Sequence, residues 1–195
     1  MIKATKDDIP KMIAILTESF EDNQSVNFAV KNKKSLPWLF EYSIAKGFLF
    51  GDVWMNKDKT ACAILLDPKK KQSGLRSKLL DLKLVFQVVG LSRMKKVRKK
   101  EMITEQTLPQ DINYIHLWFL GVAPEMQGNG IGTLFLKKLI EHYRPSKEAM
   151  CLETSTLVNI PFYEKQGFLR YATKYFGFEF FFYIKQLQNT KEFMY

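Results

Sequence analysis

Residues 113–132 place a strand, a glycine-rich turn and a helix start in direct succession. The apolar run at 114–122 is rich in aromatic and branched side chains, which predicts a buried strand. The strand ends before Pro124, and a turn with three glycines opens into an amphipathic helix at 131–143. Glycines allow close approach of an anion, and a helix N-terminus presents unpaired N–H groups to it. The sequence therefore predicts a phosphate-binding loop.

Two common phosphate loops do not fit this turn. A Walker loop ends in Gly-Lys-Ser or Gly-Lys-Thr, whereas Gly132 is followed by Thr133 and Leu134. The dinucleotide fingerprint G-x-G-x-x-G would need a glycine at position 133. The remaining pattern is Gln127-x-x-Gly130-x-Gly132.

This spacing resembles the coenzyme A pyrophosphate loop of the GNAT N-acetyltransferase superfamily. A second run at 152–168, Leu-Glu-Thr-Ser-Thr-Leu-Val-Asn-Ile-Pro-Phe-Tyr-Glu-Lys-Gln-Gly-Phe, is similar to a segment of the branch that contains puromycin N-acetyltransferase. The two motifs occur in the family's order and cover about residues 113–170. The resemblance implies an α/β GNAT fold, with a mixed central sheet flanked by helices. It also implies acetyl-CoA-dependent N-acetylation of an amine by direct attack on the thioester.

The resemblance further assigns an acetyl-CoA site. The pantetheine arm would pair with the backbone of Leu120, Gly121 and Val122, and it would also contact Asn159. The pyrophosphate would lie against a loop formed by Gln127, Gly128, Asn129, Gly130, Ile131, Gly132 and Thr133. Acetyl-CoA would be the acyl donor. No metal is expected, because the two cysteines and two histidines show no ligand spacing.

Acetyl transfer to an amine also needs a proton donor for the leaving thiolate and a proton acceptor for the amine. By resemblance, Tyr163 on a short helix predicted at 158–166 is the candidate acid, although an aromatic that only packs is the alternative. His116 and Glu153 are rival candidates for the base, and histidine side chains titrate near neutral pH. Each also has a structural interpretation, as a hydrogen-bonded strand histidine or as a carboxylate that anchors the following loop.

Residues 68–110 do not fit a minimal domain of this kind. Apolar residues recur here at intervals of four and three, which predicts one face of an amphipathic helix: Leu75, Leu79, Leu82, Phe86 and Val89. Gly90 should end or bend that helix. The segment holds twelve Lys or Arg against three acids, within a net charge of +10. We interpret it as a basic helical insertion that covers one end of the sheet near the acceptor site.

The remaining segments predict the β-α-α-β-β order with which GNAT domains begin. We expect an edge strand at 1–5, a helix from Asp8, and a helical region at 26–45 that is interrupted near Pro37 and capped by Gly47. A hairpin at 48–55 and 60–66 should follow. Beyond the central helix we expect strands at 150–154, 168–176 and 178–187.

The bulk properties predict a single acetyltransferase domain over 1–195. No apolar stretch reaches the length of a bilayer span, and the early charges argue against export, so we expect a cytoplasmic protein without a membrane partner.

We rank a solvated face first among explanations of the basic segment, steering of an anionic substrate second, and nucleic acid third, since the basic run lacks interleaved aromatics.

The acceptor is not defined by these motifs. A small-molecule amine is our first hypothesis, and a peptide or protein amine is the alternative. A non-catalytic protein that binds coenzyme A or nucleic acid on the same fold is the hypothesis from another class. The phenylalanine-rich last strand could also pair across a homodimer.

Overall fold

A computed structural model describes residues 1–70 and 74–188, without the side chain of Arg76. Seven strands form one sheet in the order β1-β2-β3-β4-β5-β7-β6. The strands are β1 (Ile2–Lys3), β2 (Gly51–Met55), β3 (Ala61–Leu66), β4 (Tyr114–Val122), β5 (Ala149–Thr154), β6 (Leu169–Tyr175) and β7 (Glu179–Gln186). β4 and β5 are parallel, and the other neighbouring strands are antiparallel.

Helices pack on both faces of this sheet. In the described residues they are α1 (Ile9–Ser19), α2 (Gln24–Ala29), α3 (Leu36–Phe50), α4 (Leu75–Leu84), α5 (Leu91–Thr107), α6 (Ile131–Tyr143) and α7 (Ile160–Lys165). α1 and α3 bury apolar side chains against one face, whereas α6 and α7 pack on the other. None of these helices has both the length and the apolar character that crossing a bilayer requires. The predicted α/β architecture is confirmed, and β4 and α6 have the predicted bounds.

The predicted interruption near Pro37 is confirmed, because α2 ends at Ala29 and α3 begins at Leu36. Pro37 itself lies in the first turn of α3, where its missing N–H is not needed. The predicted boundary at Gly47 is wrong. Gly47 is not a helix cap, because α3 continues to Phe50, so residues 48–50 are helical rather than extended. Glycine is needed inside this helix for packing: an added Cβ would lie 2.7 Å from Cγ2 of Ile64 and 2.8 Å from Cγ2 of Val53.

The predicted helical insertion is present in the described residues from 74 onwards. A π-helical turn, Val85–Val89, follows α4, and Gly90 with a φ of 75° begins α5. The apolar face of α4 points to solvent, with exposed fractions of 77% for Leu75, 59% for Leu79, 55% for Leu82 and 59% for Phe86, whereas Val89 is buried. α4 contacts α3 through polar pairs instead: Lys46 Nζ lies 2.8 Å from Asp81 Oδ1 and donates to Ser77 Oγ at 2.6 Å.

α5 lies over the end of the sheet that contains β5, β7 and β6, as the sequence predicts. Leu108, just after α5, packs against Cys151 of β5 and Ile184 of β7. The Tyr171 hydroxyl of β6 donates to the carbonyl of Thr107 at 3.3 Å. The insertion therefore covers the sheet face that also carries α1 and α3.

A bulge interrupts β4 on its β3 side. In the β3–β4 ladder Ile64 pairs with Phe119, whereas Leu65 pairs with Leu117. Trp118 is therefore an extra residue on β4. The bulge also changes which face each side chain takes, because Leu117 packs on the α6 side of the sheet and Phe119 on the α1 side.

β4 and β5 separate just before this bulge. Their ladder joins residues 114–116 to 149–151 and ends at the pair His116–Cys151. Beyond this pair β4 stays with β3 as far as Val122, and β5 stays with β7 as far as Thr154. A bulged strand bends and twists more strongly than a regular one, so the two strands diverge. We call the opening between residues 117–122 and 152–154 the β4–β5 cleft.

The phenylalanine-rich last strand is an interior strand. β7 pairs with β5 on one side and with β6 on the other. The prediction that this strand pairs across a dimer is wrong, because both of its edges are used within the sheet. A homodimer stays a prediction without that basis.

We expect Gly47→Ala to lower the free energy of unfolding by about 1–3 kcal/mol. Alanine usually stabilises a helix relative to glycine by about 1 kcal/mol. Here the new methyl would overlap Val53 and Ile64, whose branched side chains are stiff. Urea denaturation measures the change. The control is Gly74→Ala, where an added Cβ meets nothing within 4 Å. Wild-type stability of Gly47→Ala would contradict this packing argument.

Candidate active site

The glycine-rich turn leads from the end of β4 into the N-terminus of α6. Gly128 and Gly130 have φ angles of 77° and 76°, a region in which other residues are strained. Gly130 is the N-cap of α6, so no N-cap side chain accepts from the first helical amides. An added Cβ at either glycine would meet nothing within 4 Å. Free amides, the positive end of the helix dipole and open space together form a place for an anion.

The polar side chains of this turn stabilise it from within. Gln127 Nε2 donates to the carbonyl of Val122 at 3.0 Å, which ties the turn to the end of β4. Asn129 Nδ2 donates to the carbonyls of Met126 at 3.3 Å and Gln127 at 3.2 Å. Both predicted site residues therefore shape the loop with their side chains. The neighbouring backbone, together with the half-buried Thr133 in the first turn of α6, is what the loop offers to a ligand.

The predicted pantetheine residues, Leu120, Gly121 and Val122, form the β4 rim of the β4–β5 cleft. In the described part of the chain, no strand pairs with the β5-facing edge of residues 117–122. An extended ligand can add to such an edge by main-chain hydrogen bonds. Gly121 has a packing role as well, since an added Cβ would lie 2.9 Å from Cδ2 of Leu16 on α1.

His116 and Glu153 form a hydrogen-bonded pair at the closed end of the β4–β5 cleft. His116 is the last β4 residue in the ladder with β5, and Glu153 lies two residues beyond Cys151. The Nε2–H of His116 donates to Oε2 of Glu153 at 2.8 Å, and the side chains are 11% and 6% exposed. The two rival candidates for the base therefore act as one unit.

The second carboxylate oxygen of this pair has an unusual environment. Oε1 of Glu153 is buried and has no hydrogen-bond partner among the residues that the structure describes. A buried carboxylate oxygen left unpaired is costly, and such atoms are uncommon outside functional sites. The pair therefore has one acceptor atom available for a ligand.

Tyr163 lies on the α6 side of the sheet. Its ring packs 5.0 Å from that of Phe162 and 5.8 Å from that of Phe168, within the core on the α6 side. Burial raises the pKa of Tyr163 above that of a free phenol, so its hydroxyl stays protonated at neutral pH. His116 and Glu153, in contrast, lie on the face that carries α5. The candidate acid and the candidate bases thus lie on opposite faces of the sheet.

The helix that carries Tyr163 is shorter than predicted. A 3-10 turn, Leu157–Asn159, precedes α7, and Asn159 is the N-cap of α7 rather than a residue of the same helical face. Asn159 is half-buried at the β5 end of the cleft. The contact of Asn159 with the coenzyme arm stays a prediction.

Two hydrogen bonds that no local sequence pattern predicts join residues 23–25 to residues 155–156. Asn23 Nδ2 donates to Thr156 Oγ1 at 3.0 Å, and the Ser25 amide donates to Ser155 Oγ at 3.1 Å. These contacts join the connection between α1 and α2 to the segment after β5. Ser155 of the Leu-Glu-Thr-Ser motif is thus a tie between distant segments, which no local pattern predicts.

The basic run is not only a solvated face, contrary to our first explanation. Arg93 Nη1 donates at 3.4 Å to the carbonyls of both Asn27 and Phe28. Lys96 Nζ lies 4.5 Å from the ring centroid of Phe28, and Lys100 Nζ lies 4.1 Å from that of Phe180. These three inward residues of α5 lie three and four positions apart, which is helical spacing. Because most residues of the run are charged, this spacing was not recognised in the sequence.

Among the residues that the structure describes, no group of three or more His, Cys, Asp or Glu side chains could hold a metal ion.

Residues 86–168 match the sequence profile of the Acetyltransferase (GNAT) family, a span that runs from the insertion through α7. Arylalkylamine N-acetyltransferase 2 from Aedes aegypti superposes with a TM-score of 0.68 at 12% identity, over 96% of this chain and 98% of that one. For yncA from Salmonella typhimurium, solved with its cofactor acetyl-CoA, the TM-score is 0.59 at 16% identity, over 98% of this chain and 95% of that one. For a ribosomal-protein-alanine N-acetyltransferase from Escherichia coli, the TM-score is 0.53 at 14% identity, over 100% of this chain and 97% of that one.

These comparisons show which fold the protein has. At identities this low, the solved structures show the fold, which is the GNAT fold. The family match supports an N-acetyltransferase enzyme of the GNAT superfamily. The nearer relation to the puromycin N-acetyltransferase branch is not confirmed and stays a prediction.

Proposed function

We propose that this protein transfers an acetyl group from acetyl-CoA to the primary amine of a small molecule. The observation that carries the proposal is the β4–β5 cleft. It has an anion-binding helix N-terminus at its open end and the His116–Glu153 pair at its closed end. When bound, acetyl-CoA supplies the activated thioester; the residues of the chain bind, orient and exchange protons.

The loop at 127–133 would hold the pyrophosphate by its backbone amides and the dipole of α6. The unpaired edge of Leu120, Gly121 and Val122 would hold the pantetheine arm as an added strand, with Asn159 on the other side of the cleft. These contacts would bring the thioester towards the closed end of the cleft, where His116 and Glu153 lie. Holding the two reactants together is the largest part of what such a site must do.

Glu153 is the proposed base, and His116 is its positioning residue. Oε1 is the unpaired oxygen, whereas Oε2 is held by His116. The imidazole thus fixes the orientation of the carboxylate and leaves one oxygen to accept the amine proton. Tyr163 would donate to the leaving thiolate from the other face, since its hydroxyl remains protonated.

A small acceptor is favoured over a peptide by the position of the insertion. α5 lies over the sheet face on which His116 and Glu153 are found, so the acceptor side of the site is covered rather than an open groove. The structural neighbours include both an arylalkylamine and a ribosomal-protein acetyltransferase. An enzyme acting on a peptide or protein amine therefore stays the alternative.

Thr133→Glu should weaken acetyl-CoA binding at least about tenfold, because a carboxylate in the first turn of α6 would repel the pyrophosphate. The same acid should not destabilise the fold, since acids near a helix N-terminus are favourable. Calorimetric titration with acetyl-CoA measures the affinity. Thr173→Glu, on the exposed surface of β6, controls for net charge. Wild-type affinity in Thr133→Glu would contradict the assigned pyrophosphate site, and no binding by wild type would remove the proposed function.

Tyr163→Phe should lower kcat by about 10²-fold or more while leaving acetyl-CoA affinity close to that of wild type. The ring would still fill its place against Phe162 and Phe168, so only the hydroxyl is removed. Turnover is followed by release of the free thiol. An unchanged kcat would show that the tyrosine only packs.

Glu153→Gln should lower kcat by about 10²-fold or more, because the amide cannot accept the amine proton. His116→Ala should have a smaller effect, since it removes the positioning residue but keeps the carboxylate. Glu141→Gln, exposed on α6, is the matched control. If Glu153→Gln and His116→Ala both keep the wild-type pH profile, the amine loses its proton to solvent and this assignment is wrong.

A further inference from the structure

α5 faces the sheet with a regular set of inward residues. Leu108, just beyond the helix, packs on Ile184, and Lys100 lies over the ring of Phe180. Thr104 lies one helical turn from each, and the strand residue between those two is Phe182, which pairs with Glu153. The inward face of α5 therefore passes over the His116–Glu153 pair, with Thr104 and Lys100 nearest to it.

Two polar atoms in this region are buried without a partner, and a third polar group, the ammonium of Lys100, is half-buried. Oε1 of Glu153 and Oγ1 of Thr104 have no hydrogen bond among the described residues. Lys100 Nζ lies over the rings of Phe180 and Phe176, and no carboxylate of the described residues is within ion-pair distance of it. Burial lowers the pKa of Lys100, and the charge of Glu153 offsets part of this effect, which is consistent with their proximity.

These groups have complementary chemistry. Glu153 offers an acceptor, whereas Lys100 and Thr104 offer donors. Lys100 and Glu153 carry opposite charges and do not form a direct ion pair, so each can interact with an opposite charge on a ligand. Buried polar groups of this kind are satisfied in most folded proteins, and a ligand is one way to satisfy them.

We propose that the acceptor is a free amino acid, with its amine at Glu153 and its carboxylate at Lys100 and Thr104. This proposal rests on the proposed acetyl transfer and names its substrate class. The rings of Phe28, Phe176 and Phe178 pack on one another, with centroids 5.6–6.4 Å apart, and Lys100 Nζ lies 6.0 Å from the centroid of Phe176. This aromatic cluster next to Lys100 favours an apolar side chain. A peptide N-terminus fits less well, because its first carbonyl is an uncharged amide that leaves Lys100 without a counter-ion.

The reaction balances with the groups already described. The amine nitrogen forms a bond to the acetyl carbonyl carbon, and the bond from that carbon to sulfur breaks. The ammonium group first gives one proton to Glu153 and becomes the free amine that attacks; Glu153 passes this proton to solvent. The nitrogen loses its second proton as the tetrahedral intermediate collapses, and the departing thiolate gains one proton through Tyr163. The products are an N-acetyl amino acid and coenzyme A. Lys100 and Thr104 bind the carboxylate and exchange no proton in this step.

The test compares matched acceptors on the full-length protein. Wild type is assayed by thiol release with the twenty standard amino acids, and with the amides and decarboxylated amines of leucine and phenylalanine. We expect kcat/KM for at least one apolar amino acid to exceed that of its amide and amine about tenfold or more, the size expected for a charged hydrogen-bonded contact.

Lys100→Met should remove this preference through a raised KM for the amino acid, while kcat/KM for the decarboxylated amine changes less than threefold. Lys99→Met is the matched control, because Lys99 is adjacent and exposed on the outer side of α5. Loss of the preference in both variants, or in neither, would overturn the proposal.

Other outcomes separate this inference from the proposed function. If wild type binds acetyl-CoA and acetylates amides or amines as well as amino acids, the function stands and the carboxylate site is wrong. Acetylation of no amino acid by a protein that binds acetyl-CoA overturns the inference in the same way. Mass spectrometry that finds the acetyl group on Lys100 itself would also overturn it. Failure to bind acetyl-CoA at all removes the function and the inference together.

Discussion

The extra residue at Trp118 is the constraint on which the site depends. Because β4 carries one residue more than β3 at this point, it bends and its parallel ladder with β5 stops at His116. The β4–β5 cleft opens there, with an unpaired backbone edge on one side. The proposed functional groups lie around this opening. The glycine loop follows the end of β4, the His116–Glu153 pair lies where the two strands part, and Tyr163 is on the helix after β5. A regular β4 would keep the two strands paired and leave no space for an extended ligand.

The two faces of the sheet take different parts in the proposed chemistry. The face with α6 and α7 contributes the anion-binding helix end and a buried, protonated Tyr163. The face with α5 contributes the carboxylate and, in our proposal, the acceptor amine. Since the cleft passes between these faces, a thioester held in it is accessible from both. The insertion is therefore more than a cover. Its inner face carries Lys100 and Thr104, which in our proposal bind the carboxylate of the acceptor.

The local sequence pattern predicted the bounds of a segment correctly where the burial of that segment follows from its own residues. The apolar run of β4 and the amphipathic run of α6 gave correct bounds, because one is buried on both faces and the other on one. It failed at Gly47, where neighbouring strands decide that glycine belongs inside a helix. It failed also for β7, whose alternating phenylalanines do not say whether the strand lies at an edge. On α4 it predicted an apolar face correctly, but the helix docks by its polar side.

By itself, the sequence determined the succession of strand, glycine-rich turn and helix at 113–143, because glycine dihedrals, helix ends and hydrophobic periodicity act over a few residues. The expected fold and the candidates Tyr163, His116 and Glu153 came from the resemblance of its motifs to a known family. Only the tertiary structure decided that His116 and Glu153 share one hydrogen bond, since 37 residues separate them along the chain. It also decided that Lys100 turns inward from a run of charges that looks uniformly solvated. Such relations depend on which surfaces pack together, and a one-dimensional pattern carries no direct record of those distances.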